Sequence, residues 1–234
     1  MIGTLINFAA IIAGSALGIL FGSRLSENLK KTVIAGMGLF TSAVGLQMFL
    51  KTENALIVLG ALILGAILGE WWGLEEKLAT LGTWLEKRLS GSSGGNSSNF
   101  VRGFLTASVL FCTGPMGVLG SISDGLRGDY LTLSIKSVLD GITSIAFAST
   151  LGIGVAFSAL PVLVYQGLIS LLAAQLNSIM NISMMNEMTA TGGVLLIGIG
   201  ISSLLEIKKI RVGNFLPALV LAPAMVYLLA LVTR

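Results

Sequence analysis

Lys136 and Asp140 are the two residues of this sequence best suited to chemistry, because both are charged and both stand inside a long apolar stretch. Their spacing of four residues places them one turn apart on the same face of a helix. If that helix begins near Leu131, Asp140 lies roughly 13 Å along it, about halfway through a hydrocarbon core of ~30 Å. A charge at such a depth costs about 2.5–3.5 kcal/mol on insertion scales, which indicates a role in binding or transport.

Hydroxyl groups surround this pair in the sequence. They belong to Thr132, Ser137, Thr143 and Ser144. The alternative to a binding role is an internal salt bridge that only holds helices together, but buried ion pairs are poor stabilisers because desolvation cancels much of the attraction. A water-filled cavity explains a polar helix face better. We therefore predict that Lys136, Ser137, Asp140 and Ser144 contact a solute or ion.

A predicted helix break lies just upstream, in the run Thr-Gly-Pro-Met-Gly at 113–117. Proline has no amide hydrogen and clashes with the preceding turn, so the helix should be interrupted there. Freed backbone groups at such a break need partners, and in transporters a substrate or ion often supplies them. The predicted site therefore includes Gly114, Gly117 and Ser121, with Asp124 at the outer mouth.

Two further polar residues fall inside apolar runs, Asn7 in the first and Gln166 in the sixth. Their amides could simply form hydrogen bonds across helices. The alternative is that they belong to the same polar site, and both are retained as candidate binding residues.

The composition identifies the elements that must hold these residues. Hydrophobic residues make up 54% of the chain and charged residues only 11%, with a mean hydropathy of +0.93. Since an ordinary soluble domain carries about 25% charged residues, lipid must be the outer solvent here. Apolar runs fall at about 3–22, 32–50, 54–72, 100–120, 131–158, 161–180, 190–206 and 214–233. The sequence therefore predicts an all-α polytopic membrane protein with seven or eight transmembrane helices, in which 100–120 and 161–180 are either spans or re-entrant segments.

One stretch, 74–89, has a different pattern, with leucines and Trp84 at steps of three and four residues and charges between them. It predicts an amphipathic helix lying at the membrane interface. The Ser/Gly/Asn-rich residues 90–99 then predict a flexible linker. The organisation expected is a first helical repeat at 1–73, this interfacial helix and linker, a central polar region at 100–160 and a second repeat at 161–234.

Basic residues between the apolar runs indicate the orientation. They follow the first, third and seventh runs, as Arg24, Lys30 and Lys31, then Lys77, Lys87, Arg88 and Arg102, then Lys208, Lys209 and Arg211. With eight spans these three loops share one side, which the positive-inside rule makes cytoplasmic. Both termini are then predicted outside. No Lys or Arg precedes the first apolar run, so we interpret that run as a membrane helix and not as a signal peptide.

A weak internal repeat relates residues 38–68 to 193–223. At this constant offset Gly38 aligns with Gly193 and Gly45 with Gly200. On the predicted topology the two copies have opposite orientations, and inverted repeats recur in secondary transporters. The alternative is a chance alignment, because any two glycine-bearing apolar pairs share a few identities.

Several classes of chemistry are excluded by what the sequence lacks. It has no histidine, which excludes His-dependent triads and His-ligated metal or haem, and its single cysteine, Cys112, excludes an intrachain disulfide. An aspartyl intramembrane protease is disfavoured because 152–155 lacks the aspartate of a GxGD motif. We therefore predict no enzyme, no cofactor and no metal site. The basic clusters are topology signals, so no nucleic-acid partner is predicted.

The long run from Cys112 to Gly167 resembles the signature of the bacterial YdfK/YqgA-type inner-membrane proteins, a family catalogued as a domain of unknown function. The similarity extends from the opening run at 2–22 to the C-terminal helices. The residues most typical of it are Gly114, Gly120, Ser121, Asp124, Gly125, Lys136, Ser137, Asp140, Gly141, Gly152, Gly154, Gln166 and Gly167. The resemblance implies a polytopic protein of the bacterial plasma membrane, commonly described as a transporter, and brings no substrate.

Three functions remain open at this point. The first is a secondary transporter of a small polar solute or ion, in which Asp140 binds a cation or proton and Lys136 pairs with it in one state. The second is a passive channel that uses the same polar groups. The third is a scaffold or accessory subunit. The lipid bilayer is a partner in each case, and the spacing of Gly14, Gly18 and Gly22 would allow helix contacts within the chain or in a homo-oligomer.

Overall fold

The structure, a computed structural model, describes residues 1–22, 24, 26–80, 84, 97–112 and 114–232, and most of them are helical. The elements in chain order are α1 (Ile2–Gly22), α2 (Glu27–Phe49), α3 (Ala55–Trp72), α4 (74–80), α5 (Ser97–Cys112), α6 (Pro115–Arg127), α7 (Leu131–Leu151), α8 (Gly154–Phe157), α9 (Ala159–Leu171), α10 (Ala173–Ile179), α11 (Ile182–Ile199), a π-helical turn (Gly200–Leu204), a 3₁₀ turn (Val212–Phe215) and α12 (Ala218–Val232). No strand occurs among these residues.

Seven spans in the described residues are long and apolar enough to cross a membrane, and α5 with α6 forms an eighth candidate that is bent by 62°. The prediction of an all-α polytopic membrane protein is confirmed. The described part of the chain also packs as two compact units, one made of 1–35 and 79–179 and the other of 36–78 and 180–234. This grouping joins α1 to the central polar region instead of to the helices that follow it.

In the first unit, α1 and α7 pack side by side in the same direction. A Cβ atom added to Gly14, Gly18 or Gly22 would meet the main-chain oxygen of Gly141, Ile145 or Ser149 at well under 3.0 Å. Because the residue numbers rise together, the helices are parallel, and only glycine permits so close an approach of two backbones. The sequence left open whether Gly14, Gly18 and Gly22 contact a helix of the same chain or of another subunit. In the structure they contact α7 of the same chain.

The bent pair α5 and α6 crosses the whole thickness of this unit. Its first residues lie beside the end of α7, since a Cβ on Gly154 would clash with the main-chain oxygen of Phe100. Its last turn lies beside the start of α1, where the Gly3 N–H donates to Asp124 at 3.1 Å. These contacts are at opposite ends of the parallel pair α1 and α7. These contacts support a broken span over a re-entrant loop for the segment at 100–120.

Helix α9 crosses the unit in the opposite direction to α7. Its last turn lies against α6, where the Ser170 hydroxyl donates to the main-chain oxygen of Ser121 at 2.9 Å. A Cβ on Gly125 would meet the main-chain oxygen of Ser170. Of the predicted run 161–180, the residues up to Leu171 therefore span together with α8, while the separate short helix α10 follows.

The second unit is built from antiparallel pairs. The backbones of α2 and α11 touch at Gly45 and Gly193, and a Cβ on Gly38 would meet Leu205. Likewise Gly65 lies against Ala218 and Gly69 against Asn214, which pairs α3 with α12. Helix α11 begins at Ile182 and not near residue 190, because the Asn181 side chain caps its first turn by accepting from Met184 N–H at 2.8 Å.

The predicted interfacial helix is helical at 74–80 and at Trp84, whereas 81–83 and 85–96 lie outside the described residues. The last part of the predicted linker, from Ser97 onward, belongs to α5.

Candidate functional site

Lys136 and Asp140 form a buried ion pair on α7, in which the lysine ammonium group donates to Oδ2 of the carboxylate. Since α7 begins at Leu131, these residues lie about 7 and 13 Å along the helix axis. The ring of Phe111, near the end of α5, lies 5.7 Å from the lysine nitrogen. The pair is thus inside the membrane-spanning layer, with an aromatic face as its neighbour.

Asn7 on α1 forms a second hydrogen bond to the Asp140 carboxylate. Its Nδ2 donates to the same oxygen of Asp140 at 2.9 Å, and the parallel packing of α1 on α7 brings it there. The Asn7 carbonyl oxygen is buried and has no hydrogen-bond partner among the described residues. One buried acceptor therefore stands unused directly beside the ion pair.

Helix α6 begins inside the same layer, at the break between the two halves of the broken span. Gly114 precedes it in an extended conformation (φ −86°, ψ 146°), and no side chain caps the helix start. Pro115 takes the first helical position, where its missing N–H costs nothing. Pro115 has no N–H and the Gly117 N–H donates to the Gly114 main-chain oxygen at 3.1 Å, so the start of α6 presents mainly the positive end of the helix dipole within the membrane-spanning region.

Gly117, in the first turn of α6, is where three helices converge. A Cβ atom there would lie 3.5 Å from Cε of Lys136, 3.8 Å from the ring of Tyr165 and 4.0 Å from Nε2 of Gln166. Gln166 is fully buried, at 0% exposure, and neither of its amide atoms has a partner among the described residues. An unpaired amide in a protein interior costs about 1–3 kcal/mol, so this one calls for a ligand or water.

The structure thus brings together five of the predicted site residues: Asn7, Gly117, Lys136, Asp140 and Gln166. The others have different surroundings. The Ser137 hydroxyl donates to the Leu133 main-chain oxygen at 2.6 Å, so its own helix satisfies it. The hydroxyls of Ser121 and Ser144 are buried without a partner in the described residues.

Asp124 is buried at 3% exposure, whereas the sequence analysis placed it at an outer mouth. Its carboxylate accepts from the main-chain nitrogens of Met1 at 3.0 Å and Gly3 at 3.1 Å. The acidic side chain is therefore covered by the start of α1. The sequence around Asp124 could not reveal this contact, because its partners are more than 120 residues away in the chain. Its negative charge also suits the N-terminus of a helix.

Glu187 is a buried acidic residue that the sequence analysis missed. It is 1% exposed in α11 of the second unit, and its carboxylate accepts from the Thr52 hydroxyl at 2.7 Å, Glu53 N–H at 2.7 Å and Asn54 N–H at 2.9 Å. The expectation that this span began near residue 190 left Glu187 in a loop. A signal did exist, because Asn181 followed by an apolar stretch is a helix start.

The donors and acceptors of the first unit make a small two-sided site. Lys136, Nε2 of Gln166 and the first turn of α6 are positive or donating groups. Asp140 and the unpaired oxygens of Asn7 and Gln166 are negative or accepting groups. Such a set can bind a polar molecule in a layer that excludes bulk water, and it contains no arrangement typical of covalent catalysis.

Comparison with known proteins places the chain among membrane proteins. The family described as "Protein of unknown function (DUF554)" matches residues 2–227. The chain is 34% identical over 233 residues to a protein of Bacillus subtilis (strain 168) named "Uncharacterized membrane protein YdfK", covering 98% of this chain and 97% of the relative. It is 34% identical over 224 residues to "Uncharacterized protein YqgA" of Escherichia coli (strain K12), covering 95% and 94%. No solved structure matches it significantly.

Proposed function

The chain belongs to the DUF554 family, whose model matches residues 2–227, and we propose from its own residues that it is a secondary transporter of a small polar solute or ion. One observation carries this proposal. A broken span starts its second half inside the membrane layer, beside a fully buried glutamine without a partner and a buried ion pair.

The broken span favours binding at this point over plain packing. In transporters, half-helix termini point at charged groups of the substrate near the membrane midplane. Here Gly117, in the first turn of α6, lies next to Gln166 and Lys136, so the positive end of the half-helix and these polar side chains share one place. A packing role would instead be expected to satisfy the glutamine within the protein.

The second unit supports a carrier over a fixed pore. Its antiparallel pairs, α2 with α11 and α3 with α12, join the two copies of the weak sequence repeat. An inverted repeat is a common basis for alternating access, in which two halves exchange conformations. The bacterial plasma membrane, with basic loops in the cytoplasm and both termini outside, is the proposed location.

Asp140→Asn tests this function. Asparagine retains the shape of aspartate and can still accept from Asn7, but it leaves the buried Lys136 without its counter-charge. The ligand-free variant is therefore first checked for a cooperative thermal transition, and its solute binding and flux should then be lost. The first measurement is the melting temperature of detergent-purified protein with potassium chloride, L-alanine, putrescine or succinate, since a ligand that binds the folded state raises the transition. The matched control is Glu53→Gln, an acid-to-amide change at an exposed loop residue.

Flux into proteoliposomes then separates the alternatives. A carrier shows saturable uptake of the solute that shifted the melting temperature, and the uptake disappears in Asp140→Asn but persists in Glu53→Gln. Conductance that does not saturate would favour a channel. Absence of any shift and any flux in the wild type would overturn the transport proposal and favour a scaffold.

A further inference from the structure

We propose that the solute is a small zwitterion of the α-amino acid type, which carries an ammonium and a carboxylate group on one carbon. This inference rests on the proposed transport function and identifies the substrate class of the same site. It comes from the charges of that site, which are Lys136 and Asp140 in direct contact and the positive end of α6 beside them.

Charge balance disfavours a lone ion as the ligand. A lone cation bound to Asp140 would displace Lys136 and leave its ammonium group buried beside the positive end of α6. A lone anion bound to Lys136 would leave the Asp140 carboxylate with only the Asn7 amide. Either arrangement creates an uncompensated buried charge, which is strongly unfavourable. A zwitterion gives each of the two residues an opposite charge, and the site stays neutral.

The positions of the donors and acceptors give the orientation. The carboxylate of the ligand lies at the first turn of α6, between Nε2 of Gln166 and the Lys136 side chain, whose Cε lies beside Gly117. The ammonium group lies toward Asp140 and the unpaired Asn7 oxygen. Since an α-amino acid carries its two charges on a single carbon, the neighbouring side chains of Lys136 and Asp140 can meet both charges once they separate to admit it.

Gly117 restricts the size of the ligand. A Cβ at this position would lie at ordinary contact distances of 3.5 to 4.0 Å from Lys136, Tyr165 and Gln166. The gap beside these three side chains therefore holds about one methyl group, so a solute with a short side chain requires less movement of the protein than leucine would. Gly117→Ala fills that space without a clash.

Matched half-molecules test the zwitterion directly. L-alanine becomes ethylamine when its carboxylate is removed and propionate when its ammonium group is removed. We expect saturable binding of L-alanine to purified wild-type protein, measured by the melting temperature over a concentration series. Ethylamine and propionate should require at least about tenfold higher concentrations for the same shift, and L-leucine should bind more weakly than L-alanine.

Two variants connect the binding to the site. Gln166→Met should raise the apparent Kd for L-alanine about tenfold, because one hydrogen bond to the carboxylate is lost. Gly117→Ala should weaken it similarly while folding normally. Gly36→Ala is the control, since its added Cβ meets nothing within 4 Å. Unchanged L-alanine binding in both site variants would overturn the assignment of this site.

The possible results distinguish a wrong substrate class from a wrong transport function. If ethylamine or propionate shifts the protein as strongly as L-alanine, the zwitterion is wrong. The zwitterion is also wrong if only potassium, putrescine or succinate is bound and carried. Neither result contradicts the proposal that the protein is a transporter. If no probe binds and none is carried, the transport function itself fails.

Discussion

Gly14 of α1 lies directly against the main-chain oxygen of Gly141 of α7, with no space for a side chain between the two helices. We predict that Gly14→Ala destabilises the protein by about 1–3 kcal/mol, because two backbones in contact must separate. Thermal unfolding in detergent measures the loss. Gly36→Ala makes the same change on α2, where the new methyl meets nothing within 4 Å. Equal melting temperatures for the two variants would contradict the close approach of α1 and α7.

Replacement of Gln166 by methionine should stabilise the protein when no solute is present. The amide of Gln166 is buried without a partner in the described residues, and an unsatisfied buried amide costs about 1–3 kcal/mol. Methionine keeps a similar shape and removes that penalty. The measurement is the melting temperature of the ligand-free protein. A clear decrease would show that the native glutamine contributes to the stability of the ligand-free protein.

Glu187→Gln should destabilise the second unit. The carboxylate accepts three hydrogen bonds from residues 52–54, just before and at the start of α3. A neutral amide would weaken the two bonds from main-chain N–H groups, which are charge-assisted in the native protein, and would reverse the direction of the bond with the Thr52 hydroxyl. We expect a loss of about 1–3 kcal/mol, seen as a lower melting temperature at pH 7. Glu53→Gln is the comparison, because the Glu53 side chain is exposed and bonds Ser183 and Asn186 and not Glu187, so this change should cost less. The prediction fails if both variants melt alike.

Glu53 lies in the loop between α2 and α3, and its carboxyl group should make the stability of the folded protein depend on pH. Hydrogen bonds from Ser183 and then Asn186 lower the pKa of its carboxyl below the ordinary value of 4.5. A lowered pKa in the folded state stabilises the protein above pH 4.5, and the contribution is lost as pH falls through the folded pKa. The melting-temperature difference between wild type and Glu53→Gln should be present at pH 7 and vanish well below pH 4.5. A difference that persists in strong acid would contradict this.

Single cysteines at the two ends of the broken span can test its crossing. In a Cys112→Ala background, Asn99→Cys precedes most of α5 and Asp129→Cys follows α6. A membrane-impermeant thiol reagent added to intact cells should label residue 129, while residue 99 should react only after the membrane is permeabilised. Labelling of both from one side would show that the chain turns back.

Much of this fold follows from apolar runs alone. The first three spans and the last one agree with the predicted runs because lipid-facing segments need nothing but length and hydropathy. The start of α11 was placed too late, since Met184, Glu187 and Met188 near its beginning are buried against protein and need not be continuously apolar. Sequence patterns identify lipid-facing helices more reliably than they identify protein-facing ones.

The candidate site also has a part that the sequence predicts and a part that only the fold shows. Lys136 and Asp140 were recognisable because their spacing of four residues is a local property of one helix. Their contact with Asn7, at a separation of 133 residues, depends on the parallel packing of α1 on α7. The convergence of Gly117, Gln166 and Lys136 depends equally on three different helices, so only the folded arrangement shows which polar residues share the site.

The parallel pair α1 and α7 also fixes an order of events during biosynthesis. Asn7 leaves the ribosome 133 residues before Asp140, and at synthesis rates of about 5–20 residues per second that interval is roughly 7–27 seconds. Throughout that time the glycine face of α1 has no α7 to cover it. The newly made helix must therefore be shielded by lipid, by other early helices or by the insertion machinery until α7 is made, and this nascent stage is when the first unit is most open to mispairing.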